Sequence, residues 1–415
     1  MTTLNVPFLR PSIGEQEIGE VLSTLQSGWL TSGPRVRRFE EEFSAAVHGR
    51  YAVAVNSCTA ALHLALEALG VRRGDGVLVP TMTFAATAEV VRYMGAIPIL
   101  VDCDPTTLNM DLEDAERKLE QLGLSSLPEA ILHDINVVGI ITVHVGGMMM
   151  NVDAVRRFAS QHSLWIVEDA AHAFPAAWRF DSASEWQICG ENTSAVTCYS
   201  FYANKTITTG EGGMAVTGDT GLADRMRLMS LHGLSHDAWG RYTGSGSWDY
   251  KIVAPGFKYN LTDIAAAIGI HQLHKAERMR VERESIARTY LEAFAEVEEL
   301  SLPSDCVDRI HAWHLFPIKL KLESLSIGRN EFIEMLKSSG VGCSVHWRPL
   351  HLHPYYQETF GWRPSDLPVA TKVWEQLVSL PIFPGMDYKE VEYVIRTVKT
   401  IFASSLRPDA AMVVQ

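Results

Sequence analysis

The sequence predicts an α/β fold, an open and mostly parallel sheet with helices on both faces, followed by a smaller α+β domain. Three observations carry that prediction. Apolar runs rich in β-branched residues alternate with helical patterns through the first two thirds of the 415 residues. Those runs are continuously apolar rather than alternating, the pattern of strands covered on both faces. The composition then changes after about Gly240, where Arg241 to Ser247 reads as a loop and residues 261–299 read as one or two long, charge-rich helices.

Taken in order, the strand-like runs are Tyr51 to Val55, Val77 to Pro80, Ile97 to Asp102, Val138 to Val145, Leu164 to Asp169, Val196 to Phe201 and Met214 to Val216. Helical patterns over Thr59 to Leu69, Phe84 to Met94, Asp111 to Leu122 and Val152 to His162 separate them. From about residue 300 the order is strand (Leu315 to Leu320), helix (Asn330 to Ser338), strand (Gly342 to Trp347), then helices over Asp366 to Leu377 and Tyr388 to Phe402. This divides the chain into a large α/β domain over 1–240, a loop and linking helices over 241–299, and a small α+β domain over 300–415.

The formal charge of −13 has the wrong sign for a protein whose main partner is nucleic acid or an anionic membrane, so an anionic ligand must be held locally. The first ten residues lack the basic and apolar regions of a signal peptide, and the most apolar later stretch, Val137 to Val145, is too short to span a bilayer. We expect a soluble, cytoplasmic protein. The six cysteines are scattered without a C-x-x-C pair, which indicates neither a disulfide framework nor a zinc site. His351 and His353 lack a carboxylate or cysteine companion at ligand spacing, so no metal is expected.

Three segments bear chemistry, and each ends a strand-like run. Glu168-Asp169-Ala170-Ala171-His172 closes one; an isolated Asp there is commonly a solvated terminus, so its companions decide its meaning. Lys205 follows the run ending at Phe201 and precedes the loop Gly210-Glu211-Gly212-Gly213. Burial on such a loop lowers a lysine's pKa and makes its amine a nucleophile. Asn56-Ser57-Cys58-Thr59 opens a helix, where backbone N–H groups and the helix dipole favour an anion. The segment lacks the Gly-x-x-x-x-Gly-Lys and Gly-x-Gly-x-x-Gly signatures, which disfavours ATP and dinucleotides. An anion cradle, a carboxylate and an amine at the carboxyl ends of one sheet are the requirements of pyridoxal 5′-phosphate.

In these residues the chain resembles the DegT-type nucleotide-sugar aminotransferases, which have the aspartate aminotransferase (type I) fold, a three-layer arrangement around a mostly parallel sheet. The resemblance runs through Ser27-Gly28-Trp29, Thr59-Ala60-Ala61-Leu62-His63-Leu64, Thr83-Phe84, Val143-His144, Glu168-Asp169-Ala170-Ala171-His172-Ala173, Ser200-Phe201-Tyr202 with Lys205, Glu211-Gly212-Gly213, and Pro255-Gly256-Phe257-Lys258-Tyr259-Asn260. His311-Ala312-Trp313-His314-Leu315 and the 256–263 segment look most like the UDP-4-amino-4-deoxy-L-arabinose synthases.

The resemblance implies roles. Lys205 is the Schiff-base lysine, Asp169 pairs with the pyridine nitrogen, and His172 lies beside the cofactor's phenolic oxygen. Phe84 stacks on the ring, while Ser200 and the backbone of Cys58 and Thr59 hold the phosphate. Lys258 or Asn260 reaches the phosphate of a neighbouring subunit in a homodimer. Trp29, His232, Arg241 and His346 are candidates for the sugar or diphosphate site. The activity implied is amino transfer from L-glutamate to the ketone of a nucleotide-diphosphate keto sugar, with the 4-keto position favoured, for antibiotic or glycan synthesis. The rivals are a keto-inositol aminotransferase and a cofactor-binding regulator without turnover.

Overall fold

The computed structural model describes residues 4–122, 135–191, 193–234, 251–304 and 306–407. In chain order its strands are β1 (Tyr51–Val55), β2 (Asp75–Pro80), β3 (Ile97–Val101), β4 (Asn136–Val143), β5 (Trp165–Asp169), β6 (Ala177–Trp178), β7 (Gln187–Ile188), β8 (Val196–Ser200), β9 (Gly213–Thr217), β10 (Leu300–Ser301), β11 (Arg309–Ile310), β12 (Phe316–Leu320) and β13 (Leu377–Leu380). Its first helices are α1 (Glu15–Ser27), α2 (Pro34–Ala46), α3 (Cys58–Ala68), α4 (Ala86–Tyr93), α5 (Leu112–Glu120), α6 (Val152–Gln161) and α7 (Thr220–Met229). These are followed by α8 (Asp263–His274), α9 (Ala276–Phe294), α10 (Arg329–Ser338), α11 (Pro354–Phe360), α12 (Pro368–Gln376) and α13 (Tyr388–Ser405). None of these helices is long and apolar enough to cross a membrane.

The expected mixed α/β architecture is present. Seven strands form a central sheet in the order β1-β9-β8-β5-β4-β2-β3. Pairings from β8 through β3 are parallel, and only β9 is antiparallel to its neighbours. The short connection from Ser200 to Gly213 leaves no room for a crossover helix, so β9 must run back beside β8. As a result β1, β8, β5 and β4 all end at the same edge.

Alternation along the strands divides the side chains between two cores. Val53 and Val55 of β1 pack with Leu62, Leu78, Ile140 and Val167 on one face. Ala52 and Ala54 pack with Phe39, Phe43, Tyr199 and Phe201 on the other. A third cluster joins Phe316, Phe332 and Phe402, and takes in Val6 from the amino-terminal segment.

One expectation is corrected in the carboxyl-terminal region. Gly342 to Trp347 is not a strand; only isolated bridges, Val6 with Val341 and Ser344 with Ser379, mark its neighbourhood. β12 pairs instead with β10 and with β13, which begins at the last residue of the stretch expected to be helical. Short apolar runs do not distinguish strand from buried helix by periodicity, and Pro381 follows directly on the last residue of the strand, Leu380. The 342–347 segment instead brings Val345, His346 and Trp347 to a pocket.

Candidate active site

The carboxyl ends of β5 and β8 and the start of α3 surround a cavity of about 570 Å³. Cys58, Thr59, Phe84, Asp169, His172, Ser200, Lys205 and His346 all line it, so eight of the expected residues meet at one place. Register explains the convergence: Val143, Asp169 and Cys198 stand side by side on β4, β5 and β8.

The anion cradle is built by the first turn of α3. Ser57 caps the helix, its hydroxyl accepting from the Ala60 N–H at 3.1 Å. The Cys58 and Thr59 amides have no acceptor among the described residues. This turn lies directly against β9: a Cβ on Gly213 would fall 2.5 Å from the Ser57 carbonyl and 2.6 Å from the Cys58 nitrogen. The glycine is what lets the helix start come so close, and with it two unpartnered amides.

Asp169 is buried at the end of β5. Its Oδ2 accepts from the Thr87 hydroxyl at 2.7 Å and its Oδ1 from the Ala171 N–H at 3.2 Å. Burial raises its pKa, and these donors and the charge of Lys205 oppose the rise. Lys205 follows a turn in which its own N–H donates to the Tyr202 carbonyl at 2.9 Å. Its amine is lowered to about 8 by burial, against the attraction of Asp169. A carboxylate and an amine in one pocket with such displaced affinities for protons are what nucleophilic and proton-transfer chemistry require.

Three histidines form the opposite wall. The Gly146 N–H donates to His172 Nδ1 at 3.3 Å, which assigns the imidazole proton to Nε2. His172 stacks on Trp347 with ring centroids 5.0 Å apart and lies 4.1 Å from the ring of His314. Burial drives His172 and His314 well below the usual histidine range, and His346 to about 4. All three are therefore neutral at pH 7.

His314, Trp347 and Thr87 were not expected as site residues. Behind the wall, buried Arg283 donates to the carbonyls of Trp313, His314 and Ile382 at 3.3, 3.4 and 2.7 Å. His314 lies inside a motif already singled out, so that motif was the available signal. Arg283 had none, because a guanidinium bonded to carbonyls looks in sequence like any helical arginine.

Other expected residues lie outside this cavity. Lys258 is exposed and its amine donates to Asn260 Oδ1 at 2.6 Å, while Asn260 Nδ2 donates to Ser32 Oγ at 2.7 Å. The Trp29 indole donates to the Ser32 carbonyl at 3.0 Å, and the His232 N–H to that of Phe257 at 2.7 Å. Arg241 lies outside the described residues. His351 holds Thr81 and Thr371 hydroxyls with its two ring nitrogens, each at 2.8 Å, and His63 contacts the Tyr259 hydroxyl at 3.1 Å. His144, Glu168 and Cys189 form a buried cluster. There the Met150 N–H donates to His144 Nδ1 at 3.3 Å, His144 Nε2 stands 3.5 Å from Glu168 without a hydrogen bond, and burial raises the Cys189 thiol's pKa.

A pair of amides without an acceptor among the described residues, a carboxylate with acceptor capacity left, and an amine of lowered proton affinity fit the phosphate, ring nitrogen and aldehyde of pyridoxal phosphate. The comparisons decide the family. A profile of the DegT/DnrJ/EryC1/StrS aminotransferase family matches residues 11–399. The chain belongs to this family. The aminotransferase is 41% identical to the spore coat polysaccharide biosynthesis protein SpsC of Bacillus subtilis, covering 95% of this chain and 97% of that one. Among solved structures it is similar to Spr1654 of Streptococcus pneumoniae, in its PLP form, with 30% identity and a TM-score of 0.85 over 97% of this chain and 99% of that one. It is also similar to the sugar aminotransferase CalS13 of Micromonospora echinospora, at 28% identity and TM-score 0.80, over 95% and 99% of the two chains. The aminotransferase is thus a pyridoxal-phosphate enzyme, as the pocket's chemistry requires.

Proposed function

We propose that the enzyme moves an amino group from L-glutamate to the ketone of a nucleotide-linked sugar, with the 4-keto position favoured, in the cytoplasm, for antibiotic or glycan synthesis. The observation that carries the reading is the pocket in which Lys205, Asp169 and the α3 amides meet. A sugar substrate is supported by CalS13, a sugar aminotransferase, and by SpsC, a polysaccharide biosynthesis protein.

The Cys58 and Thr59 amides and the Ser200 hydroxyl hold the phosphate in this reading, Phe84 covers the ring, Asp169 pairs with its nitrogen, and the His172 Nε2 proton meets its phenolic oxygen. Pyridoxal phosphate supplies an aldehyde that condenses with amines and a protonated ring that accepts electron density. Lys205 Nζ, its proton affinity lowered by burial to about 8, would in its neutral form take the proton from the carbon bearing the donor's amine and pass it to the cofactor's aldehyde carbon. On the acceptor half the same atom works in reverse. His172, held well below the usual histidine range by burial, stays neutral and does not compete for that proton.

We assign 1–240 to the cofactor domain, 241–299 to the link and 300–415 to the small domain. The site is completed by a second copy of the chain. Phe84, at 62% exposure, and Tyr202, at 47%, leave large aromatic surface uncovered at the pocket mouth. The exposed Lys258 and its neighbour Asn260 are the groups offered to the partner's phosphate, and Trp29, His232, Arg241 and His346 are assigned to the sugar nucleotide.

The test is the visible spectrum of the purified protein. L-Glutamate alone is expected to remove the absorption of the covalently held cofactor, and a nucleotide-linked keto sugar to restore it. Lys205→Ala is expected to retain cofactor without covalent linkage and to lose turnover. A spectrum unmoved by glutamate with wild-type protein would overturn the donor assignment, and normal turnover in Lys205→Ala would overturn the role of the lysine.

A further inference from the structure

We propose that Thr87, itself oriented by Thr83, is the positioning residue that aims the Asp169 carboxylate at the cofactor's ring nitrogen. The inference rests on the reading of Asp169 given above and adds the group that holds it. Thr83, Thr87 and Asp169 are 2%, 0% and 6% exposed, so bulk water does not replace any hydrogen bond made among them. The Thr87 hydroxyl lies 2.7 Å from Asp169 Oδ2, and Thr83 Oγ1 lies 2.8 Å from Thr87 Oγ1.

The direction of this chain follows from proton counting. An ionised carboxylate only accepts, so the single proton of Thr87 goes to Asp169. Thr87 then has only lone pairs to offer Thr83, and Thr83 must donate. Each hydroxyl polarises the next toward the carboxylate, which strengthens the final bond in a site without water.

Asp169 needs such a tether because its terminal torsion is broad and close to two-fold. On the Oδ1 side it has the Ala171 N–H at 3.2 Å and the Cys58 thiol at 3.9 Å, one moderate bond and one weak contact. Thr87 supplies the only short bond among them, on the other oxygen. With Oδ1 and Oδ2 gripped from opposite sides, the carboxylate plane is set before any ligand arrives. Phe84, whose ring lines the cavity, stands on the same stretch between Thr83 and Thr87. One short segment therefore positions both a face of the cofactor site and the partner of its nitrogen.

The experiment compares Thr87→Val, Thr87→Ser, Thr83→Val and Asp169→Asn with the wild type in two measurements. These are the dissociation constant of pyridoxal phosphate from the apoprotein, by equilibrium titration, and the pH midpoint of the bound cofactor's visible band. Thr87→Val removes a hydrogen bond to a charged group and is expected to weaken binding by about tenfold or more. It should also move the midpoint, because the hold of the carboxylate on the ring nitrogen sets how much charge the ring withdraws from the linkage to Lys205. Thr87→Ser keeps the hydroxyl and should stay near wild type in both. Thr83→Val, one bond further away, is expected to lose about threefold.

Wild-type values for a folded Thr87→Val would overturn the proposal. Should Thr87→Val fail to fold, Thr83→Val decides by the same measurements, and wild-type values there would overturn the relay. Asp169→Asn separates the two layers of the argument. If it alone alters affinity and midpoint, the tether is wrong and the reading of Asp169 stands; if it alters neither, that reading fails first.

Discussion

Lys205 shows how a single position acquires its chemistry from its surroundings. With its amine lowered to about 8 by burial, the apoprotein changes charge at this site within a degree or two of neutrality on the pH scale. Covalent uptake of pyridoxal phosphate should accelerate as pH rises from 7 to 9, since only the neutral amine attacks, and stopped-flow absorbance at each pH checks this. Linkage adds a second consequence. Between about 8 and the ordinary lysine value of 10.5 the unfolded chain binds a proton that the folded chain does not. Lys205 therefore contributes stability to the apoprotein that increases with pH across that window. Apoprotein melting temperatures of wild type and Lys205→Met, compared from pH 7.5 to 10, should change relative to one another, the wild type gaining on the variant as pH rises. Lys205 and Asp169 could be singled out in the sequence because Asp169 closes a strand and Lys205 follows one, each inside a dense motif. Thr87 and His314 were less so, since a threonine or histidine acquires its role from what it faces across the fold.

At the scale of elements, the cradle depends on α3 and β9 together. Gly213 carries no side chain where a Cβ would meet backbone atoms of Ser57 and Cys58 at 2.5 to 2.6 Å, and backbone gives way at greater cost than a flexible side chain. Gly213→Ala is expected to push the start of α3 away from β9. Phosphate affinity should fall by about tenfold or more and melting temperature should fall with it, as phosphate titration and calorimetry of the apoprotein would read. The seven strands of the central sheet could be anticipated because continuous apolar runs bounded by polar punctuation form buried strands almost regardless of context. The stretch 342–347 could not. Its apolar residues fit a strand, yet β13 pairs with β12 instead, and the stretch delivers His346 and Trp347 to the pocket wall. Which of two short apolar runs wins a place in a sheet is decided by tertiary pairing rather than by local pattern.

For the whole molecule, a net charge of −13 leaves an anionic cofactor to be held by local means, in our proposal the start of α3 and Lys258, rather than by a basic surface. The second copy proposed to complete the site makes the reading testable in solution. Sedimentation equilibrium should report a dimer, and Lys258→Ala should weaken cofactor affinity without altering the fold of the isolated chain. A monomer with unimpaired cofactor affinity would count against the shared site. The amino-acid sequence by itself determined the α/β class, the family and the principal chemical groups, because strand periodicity and motif residues are local properties written in adjacent positions. Only the tertiary structure decided that Thr83 and Thr87 reach Asp169, that three neutral histidines and Trp347 form the far wall, and that Arg283 holds that wall from behind. Those contacts join residues far apart in the chain, as Arg283 with Ile382 and His172 with Trp347 show. Their energies come from burial and geometry, which no single stretch of chain contains.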